Sequence, residues 1–208
     1  MFKKTRNILI IILMVLITDS AFPVYYMRYA ERTFEVDALD PINAENTWRQ
    51  LRFNTFVQGR LWFKNDKMQN TADLAESLPD QSNPKEAIIK IKENARWQDG
   101  TEITASDVLF SFQLYRESDI TEYEYIAKKL VVEEIDSKTI RIKPDEGVSS
   151  FWYYVNDGIA KLYILPKHLI GEMGMILPGD DFSKKPQGAG AFKIDNISKK
   201  GSQVIVDF

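Results

Sequence analysis

Hydrophobic residues follow three rhythms along the chain. Residues 8–17 form a solid apolar block, with Lys3, Lys4 and Arg6 before it and Thr18-Asp19-Ser20-Ala21 after it. Ala87-Ile88-Ile89-Lys90-Ile91-Lys92 alternates imperfectly with period two, and Gln203-Val204-Ile205-Val206-Asp207-Phe208 alternates cleanly, as half-buried strands do. Val108, Leu109, Phe112 and Tyr115 fall at i, i+1, i+4 and i+7 and predict one apolar stripe on a helix running to about Arg116.

Turn and cap residues punctuate these rhythms. Pro41 pushes Asp40 out of the helical region, and a helix is expected after it, with Trp48, Leu51, Phe56 and Val57 on its apolar face. Gly59 closes that helix before a short strand, Leu61-Trp62-Phe63. Residues 71–78 read as a turn or short helix stopped by Pro79, and residues 80–84 as loop. Asp99-Gly100 reverses the chain. Thr104 with Asp107 resembles a capping box at the start of the 108–115 stripe. Leu130-Val131-Val132 and Thr139-Ile140-Arg141-Ile142 predict a hairpin about Asp136-Ser137-Lys138, ended by Pro144. An aromatic run at 151–155 precedes Leu162-Tyr163-Ile164-Leu165 and Pro166-Lys167-His168-Leu169. Gly188-Ala189-Gly190 is expected to feed a strand over 191–194. Trp97 and Trp152 read as core residues.

The first block is an address. Ten apolar residues span roughly 15 Å, about half a hydrocarbon core, so a spanning helix would have to enclose Asp19 at high cost. Residues 1–20 therefore read as a secretory signal, with small residues at Thr18 and Ser20 permitting cleavage before Ala21. Because residues 22–26 continue apolar, an uncleaved anchor through residues 8–27 is the other form of the same expectation. Either form puts the body outside the cytoplasm, with residues 21–32 as a lead and 33–208 as the folded part.

Composition narrows the chemistry. The chain has 208 residues, 44% hydrophobic and 27% charged, with a net charge of −3 that becomes −5 once three bases and Asp19 leave with residues 1–20. No broad basic face exists for nucleic acid. The absence of cysteine removes disulfides, thiolate metal sites, a cysteine nucleophile and a lipidated cysteine. His168 is the one histidine, and its place at a helix start favours capping or packing over general base catalysis. No nucleophile elbow, zinc-protease helix or phosphate-cradling glycine loop occurs. The acidic pairs Glu133-Glu134, Asp145-Glu146 and Asp180-Asp181 lack calcium-loop spacing and read as solvated faces. No cofactor and no metal is expected.

Taken in order, the segments resemble the extracytoplasmic solute-binding proteins of peptide and nickel ABC importers, the oligopeptide- and dipeptide-binding group. The most specific stretch is Ile91-Lys92-Glu93-Asn94-Ala95-Arg96-Trp97-Gln98-Asp99-Gly100-Thr101-Glu102-Ile103-Thr104-Ala105-Ser106-Asp107-Val108, similar to that family's strand, Asp-Gly-Thr turn and helix. Leu39-Asp40-Pro41, Asp73-Leu74-Ala75-Glu76-Ser77, Ile164-Leu165-Pro166-Lys167-His168-Leu169 and Lys185-Pro186-Gln187-Gly188-Ala189-Gly190-Ala191-Phe192-Lys193 support it.

The resemblance implies an α/β fold: a mixed-sheet, periplasmic-binding-protein-like N-terminal lobe, incomplete without the second lobe. It implies a protein that binds short peptides or a related small solute for delivery to an ABC permease, without catalysis. The alternative is a membrane-tethered interaction or peptide-sensing module that no longer supports transport. By resemblance, Glu45-Asn46-Thr47 present backbone to the ligand, Asn156-Asp157 face the cleft, and Tyr123 or Tyr125 supplies a wall. One lobe alone desolvates a ligand on one side only, so weak binding is expected.

Overall fold

The computed structural model describes residues 28–32, 55–117, 121–171, 182, 186–200 and 203–208. In chain order its elements are β1 (Arg28–Arg32), β2 (Trp62–Lys64), β3 (Asn70–Ala72), β4 (Ala87–Lys90), α1 (Ala105–Arg116), α2 (Thr121–Ala127), β5 (Leu130–Asp136), β6 (Thr139–Pro144), α3 (Phe151–Tyr153), α4 (Lys167–Ile170), β7 (Asn196–Lys200) and β8 (Gln203–Asp207). The class is α/β as expected, and every ladder among the described residues is antiparallel.

Two bodies emerge. The main body holds a three-stranded sheet ordered β4-β6-β5 and the two-stranded sheet β2-β3, while β1-β8-β7 form a terminal sheet. In β4, Ala87 and Ile89 are buried and Ile88 and Lys90 exposed, so the period-two reading holds. The β5–β6 turn closes with Asp136 Oδ1 accepting Lys138 N at 2.8 Å, as an aspartate at a turn does. Lys138 is itself buried and donates its ammonium to Ile103 O at 2.7 Å, docking the turn on the loop before α1.

α1 buries Val108, Phe112, Leu114 and Tyr115 and leaves Leu109 half-buried. Its polar atoms do as much as its stripe. Asp107 Oδ1 accepts Lys167 N at 3.1 Å, Ser111 Oγ accepts Leu165 N at 2.8 Å, and Tyr115 Oη donates to Tyr163 O at 2.9 Å. Four helical residues advance about 6 Å and two extended residues about 6.6 Å, so positions 107, 111 and 115 stay in step with 167, 165 and 163. The expected cap is present as well: Asp107 Oδ2 accepts Thr104 N at 2.9 Å.

Three expectations change. Residues 71–78 hold no helix: Thr71 and Ala72 pair with Phe63 and Trp62, and the amides of Asp73 and Ala75 go to Leu61 O. Partners across the chain outcompete local helix formation there. Residues 191–194 are not strand, because Gly190 N and Phe192 N are committed to Val57 O and Phe56 O at 2.7 and 3.0 Å, and the strand begins at Asn196. Trp152 is half-buried, its indole N–H donating to Asn83 O at 3.0 Å, whereas Trp97 is core as read. Of the helix expected after Pro41, residues 55–57 are described and are helical. Residues 1–27, including the stretch read as an export signal, lie outside the described residues; among those described, no helix is long and apolar enough to cross a membrane.

Candidate functional site

α2 is amphipathic over barely two turns. Tyr123, Ile126 and Ala127 are buried, while Tyr125 is 53% exposed. Two residues subtend about 200° of helix, so Tyr123 and Tyr125 face opposite ways. Tyr123 points inward, edge-to-face with Tyr115 at 5.2 Å, and burial pushes its hydroxyl up to about 12. Of the two tyrosines read as a cleft wall, Tyr125 is the one on the surface.

The aromatic run forms α3, then a π-helical turn, Tyr154–Gly158, then a 3-10 turn, Ile159–Lys161. Gly158 permits close approach to α2, since a Cβ there would lie 2.8 Å from Ile126 Cγ2. That contact brings Tyr154 beside Tyr125, with hydroxyl oxygens 2.9 Å apart and ring centroids 5.9 Å apart. The bond to Tyr125 raises the Tyr154 pKa above its ordinary value. Tyr153, 59% exposed, continues the series edge-to-face with Tyr154 at 5.3 Å.

Asn156 and Asp157 follow on the same π-turn, both half-buried. Asn156 O accepts Asn70 Nδ2 at 3.0 Å, and its side chain exchanges hydrogen bonds with the Gln81 amide at 3.3 and 3.5 Å. Asp157 Oδ1 pairs with Lys64 Nζ of β2 at 2.8 Å. Lys161 pairs with Glu122 at the start of α2. The structure thus sets Tyr125 beside two added tyrosines, Tyr154 and Tyr153, while Asn156 turns to Asn70 and Gln81 and Asp157 to Lys64. The sequence signal for the added tyrosines was the run itself. Lys64 and Gln81 carry no local signal. Glu45, Asn46 and Thr47 lie outside the described residues.

The single histidine has a structural partner. His168 Nε2 meets Asp99 Oδ2 at 2.7 Å, and its ring lies 6.2 Å from that of Trp97. This bond is the chief reason the Asp99 carboxyl is held down at about 2. The pair joins the Asp-Gly-Thr turn to α4, beside an open cavity of about 490 Å³ lined by Thr101, Thr104, Ser106 and Lys167 among others. Among the described residues no group of three or more His, Cys, Asp or Glu could hold a metal ion. Asp145 and Glu133, both read as solvated acids, form partly exposed pairs with Arg116 and with Lys143 and Arg141.

One residue of the signature turn was not anticipated. Gln98 Nε2 donates to Gly190 O at 3.1 Å and Phe192 O at 2.5 Å, Gln98 Oε1 accepts Gly188 N at 3.1 Å, and Gln98 N donates to Gly188 O at 3.0 Å. It fastens the main body to the segment that leads into the terminal sheet.

The chain is similar to known proteins in sequence and fold. The oligopeptide-binding protein AppA of Bacillus subtilis is 29% identical over 136 residues, 62% of this chain and 24% of its own length. Its structure in complex with a nonapeptide superposes with a TM-score of 0.60 at 26% identity, covering 73% of this chain and 30% of AppA. MoaA from A. tumefaciens R10, in complex with mannopinic acid, gives 0.59 at 27% identity, covering 76% and 32%. NikZ from Campylobacter jejuni, in complex with Ni(L-His), shares the fold at 0.63 and 22% identity, covering 81% and 32%. The chain therefore spans about a quarter of the curated relative and about a third of the solved ones. Residues 70–207, more than half of the chain, match the family of bacterial extracellular solute-binding proteins, family 5 Middle. On that match and the shared periplasmic-binding-protein fold, the chain belongs to family 5 of the bacterial extracellular solute-binding proteins.

Proposed function

We propose that this chain is the extracytoplasmic solute-binding component of an ABC-type importer and that it binds short peptides, without chemical turnover, for delivery to a membrane permease. The observation that carries this reading is the family match together with the likeness to AppA in its nonapeptide complex. An extended peptide offers backbone N–H and C=O groups that pair irrespective of side chain, which suits a carrier of mixed peptides. Tyr125, Asn156 and Asp157 supply part of the contact surface, and Glu45-Asn46-Thr47 supply backbone. Residues 1–20 direct export. The charge pairs around Asp157 and Lys161 suit a ligand that carries both signs.

Calorimetric titration with a pool of tripeptides, the nickel–histidine chelate and mannopinic acid, each run separately, tests the proposal. Saturable heat in the millimolar range with the peptides alone is the expected result, since the described face contacts a ligand from one side. Saturation by the chelate or the opine with silence from the peptides would overturn it.

A further inference from the structure

Tyr125, Tyr154 and Tyr153 form a continuous aromatic stair on the surface. Successive rings meet at 62° and 77°, and the hydroxyl contact between Tyr125 and Tyr154 fixes the lower step. Lys129 Nζ lies 5.1 Å from the Tyr125 ring centre, so a cation already occupies a face at that end. Tyr153, at the other end, is 59% exposed. Burying it would have removed apolar area from water, yet α3 directs Phe151 inward and Tyr153 outward.

Charge frames the open end. Lys161, paired with Glu122, lies within electrostatic range of both Tyr153 and Asp157, and Asp157 pairs with Lys64. These four side chains are between 29% and 58% exposed. Partly exposed pairs exchange partners at little cost, so a ligand amine and carboxylate can each take an opposite charge here. A ring of the ligand set edge-to-face on Tyr153 would extend the stair by one step.

We propose that this surface receives the aromatic side chain of a short zwitterionic peptide, making aromatic peptides its preferred ligands. The proposal rests on the peptide-binding reading above and names the peptide class. Tyrosine suits the task because it gives a large contact area while ordering only two side-chain torsions.

Titrations of Ala-Phe-Ala, Ala-Leu-Ala and Ala-Ala-Ala against the 208-residue chain, with Tyr153→Ala and Tyr153→Phe alongside, provide the test. Ala-Phe-Ala is expected to bind about fivefold more tightly than Ala-Leu-Ala, within the range an extra aromatic pair supplies. Tyr153→Ala should erase that preference, bringing Ala-Phe-Ala to the affinity of Ala-Leu-Ala, whereas Tyr153→Phe should retain it. Equal binding of the Phe and Leu peptides, or a preference that survives Tyr153→Ala, would overturn the aromatic preference and leave the peptide reading standing. Binding of none of the three would overturn both.

Discussion

Around Ile142 the main body closes a core in which β4, β5, β6, α1 and the 162–165 segment all bury apolar side chains. Around Val206 the terminal sheet gathers, among the described residues, Val57, Ile194, Val206 and Phe208, with Phe56, Phe192 and Ile197 packed alongside. The smaller cluster relies on aromatic geometry: Phe56, Phe192 and Phe208 meet edge-to-face at 5.9 to 6.1 Å. It also relies on its seam with the main body. Gly188 and Gly190 lie so close to the 56–57 backbone that a Cβ would sit 2.0 Å from Val57 O and 2.5 Å from Phe56 O. Gln98 hydrogen-bonds across the same seam. The difference teaches that one region stands on buried area and the other on a fitted junction, so the two should fail by different routes.

The largest expected effect is in the main body. Ile142→Ala, at a fully buried position of the central strand, should cost about 2–5 kcal/mol and lower the denaturant midpoint of the whole cooperative transition. Gly188→Ala attacks the junction instead. It should cost about 1–3 kcal/mol through overpacking, seen as lost amide-exchange protection in β7 and β8 while β5 and β6 stay protected. Simultaneous loss in all four strands would show that the bodies are one unit. Gln98→Ala should give the same pattern at about 1–2 kcal/mol, since it removes hydrogen bonds without forcing the chains apart.

The smallest effect is a pH dependence at the Asp99–His168 contact. The native state holds the Asp99 carboxyl at about 2, below its ordinary 3.8, because His168 hydrogen-bonds its charged form. Its stabilisation is therefore fully present above about pH 4 and lost as pH falls through about 2. Urea midpoints measured across that window should fall less steeply in Asp99→Asn than in the parent chain. Equal slopes would remove the contact from the stability of the turn.

Most of the main body was legible in the sequence because its elements carry local signals. The alternation at 87–92, the turn residues at 99–100 and 136–138, and the cap at Thr104 and Asp107 all mark structure set by near neighbours. What escaped was set at long range. Asp107, Ser111 and Tyr115 hydrogen-bond the backbone of residues 163–167, which no helical period reveals. Residues 71–72 became a strand because β2 offered partners, and 191–194 failed to become one because Gln98 and the 56–57 carbonyls took their groups. The site divided in the same way. Tyr125, Asn156 and Asp157 were named from the resemblance, but the helix of Tyr125 reaches the turn that carries the other two where Gly158 packs against Ile126, a contact between elements thirty-two residues apart.

The central claim is that a peptide meets this chain on the face built by α2 and the turns after α3. Backbone amide shifts followed by NMR during titration with Ala-Phe-Ala test it most directly. The account predicts saturable shifts clustered at Tyr125, Tyr153, Tyr154, Asn156 and Asp157, with residues around Thr101 and His168 unmoved. Shifts gathered instead around the cavity beside Thr101 and His168, or none anywhere at saturating peptide, would contradict it.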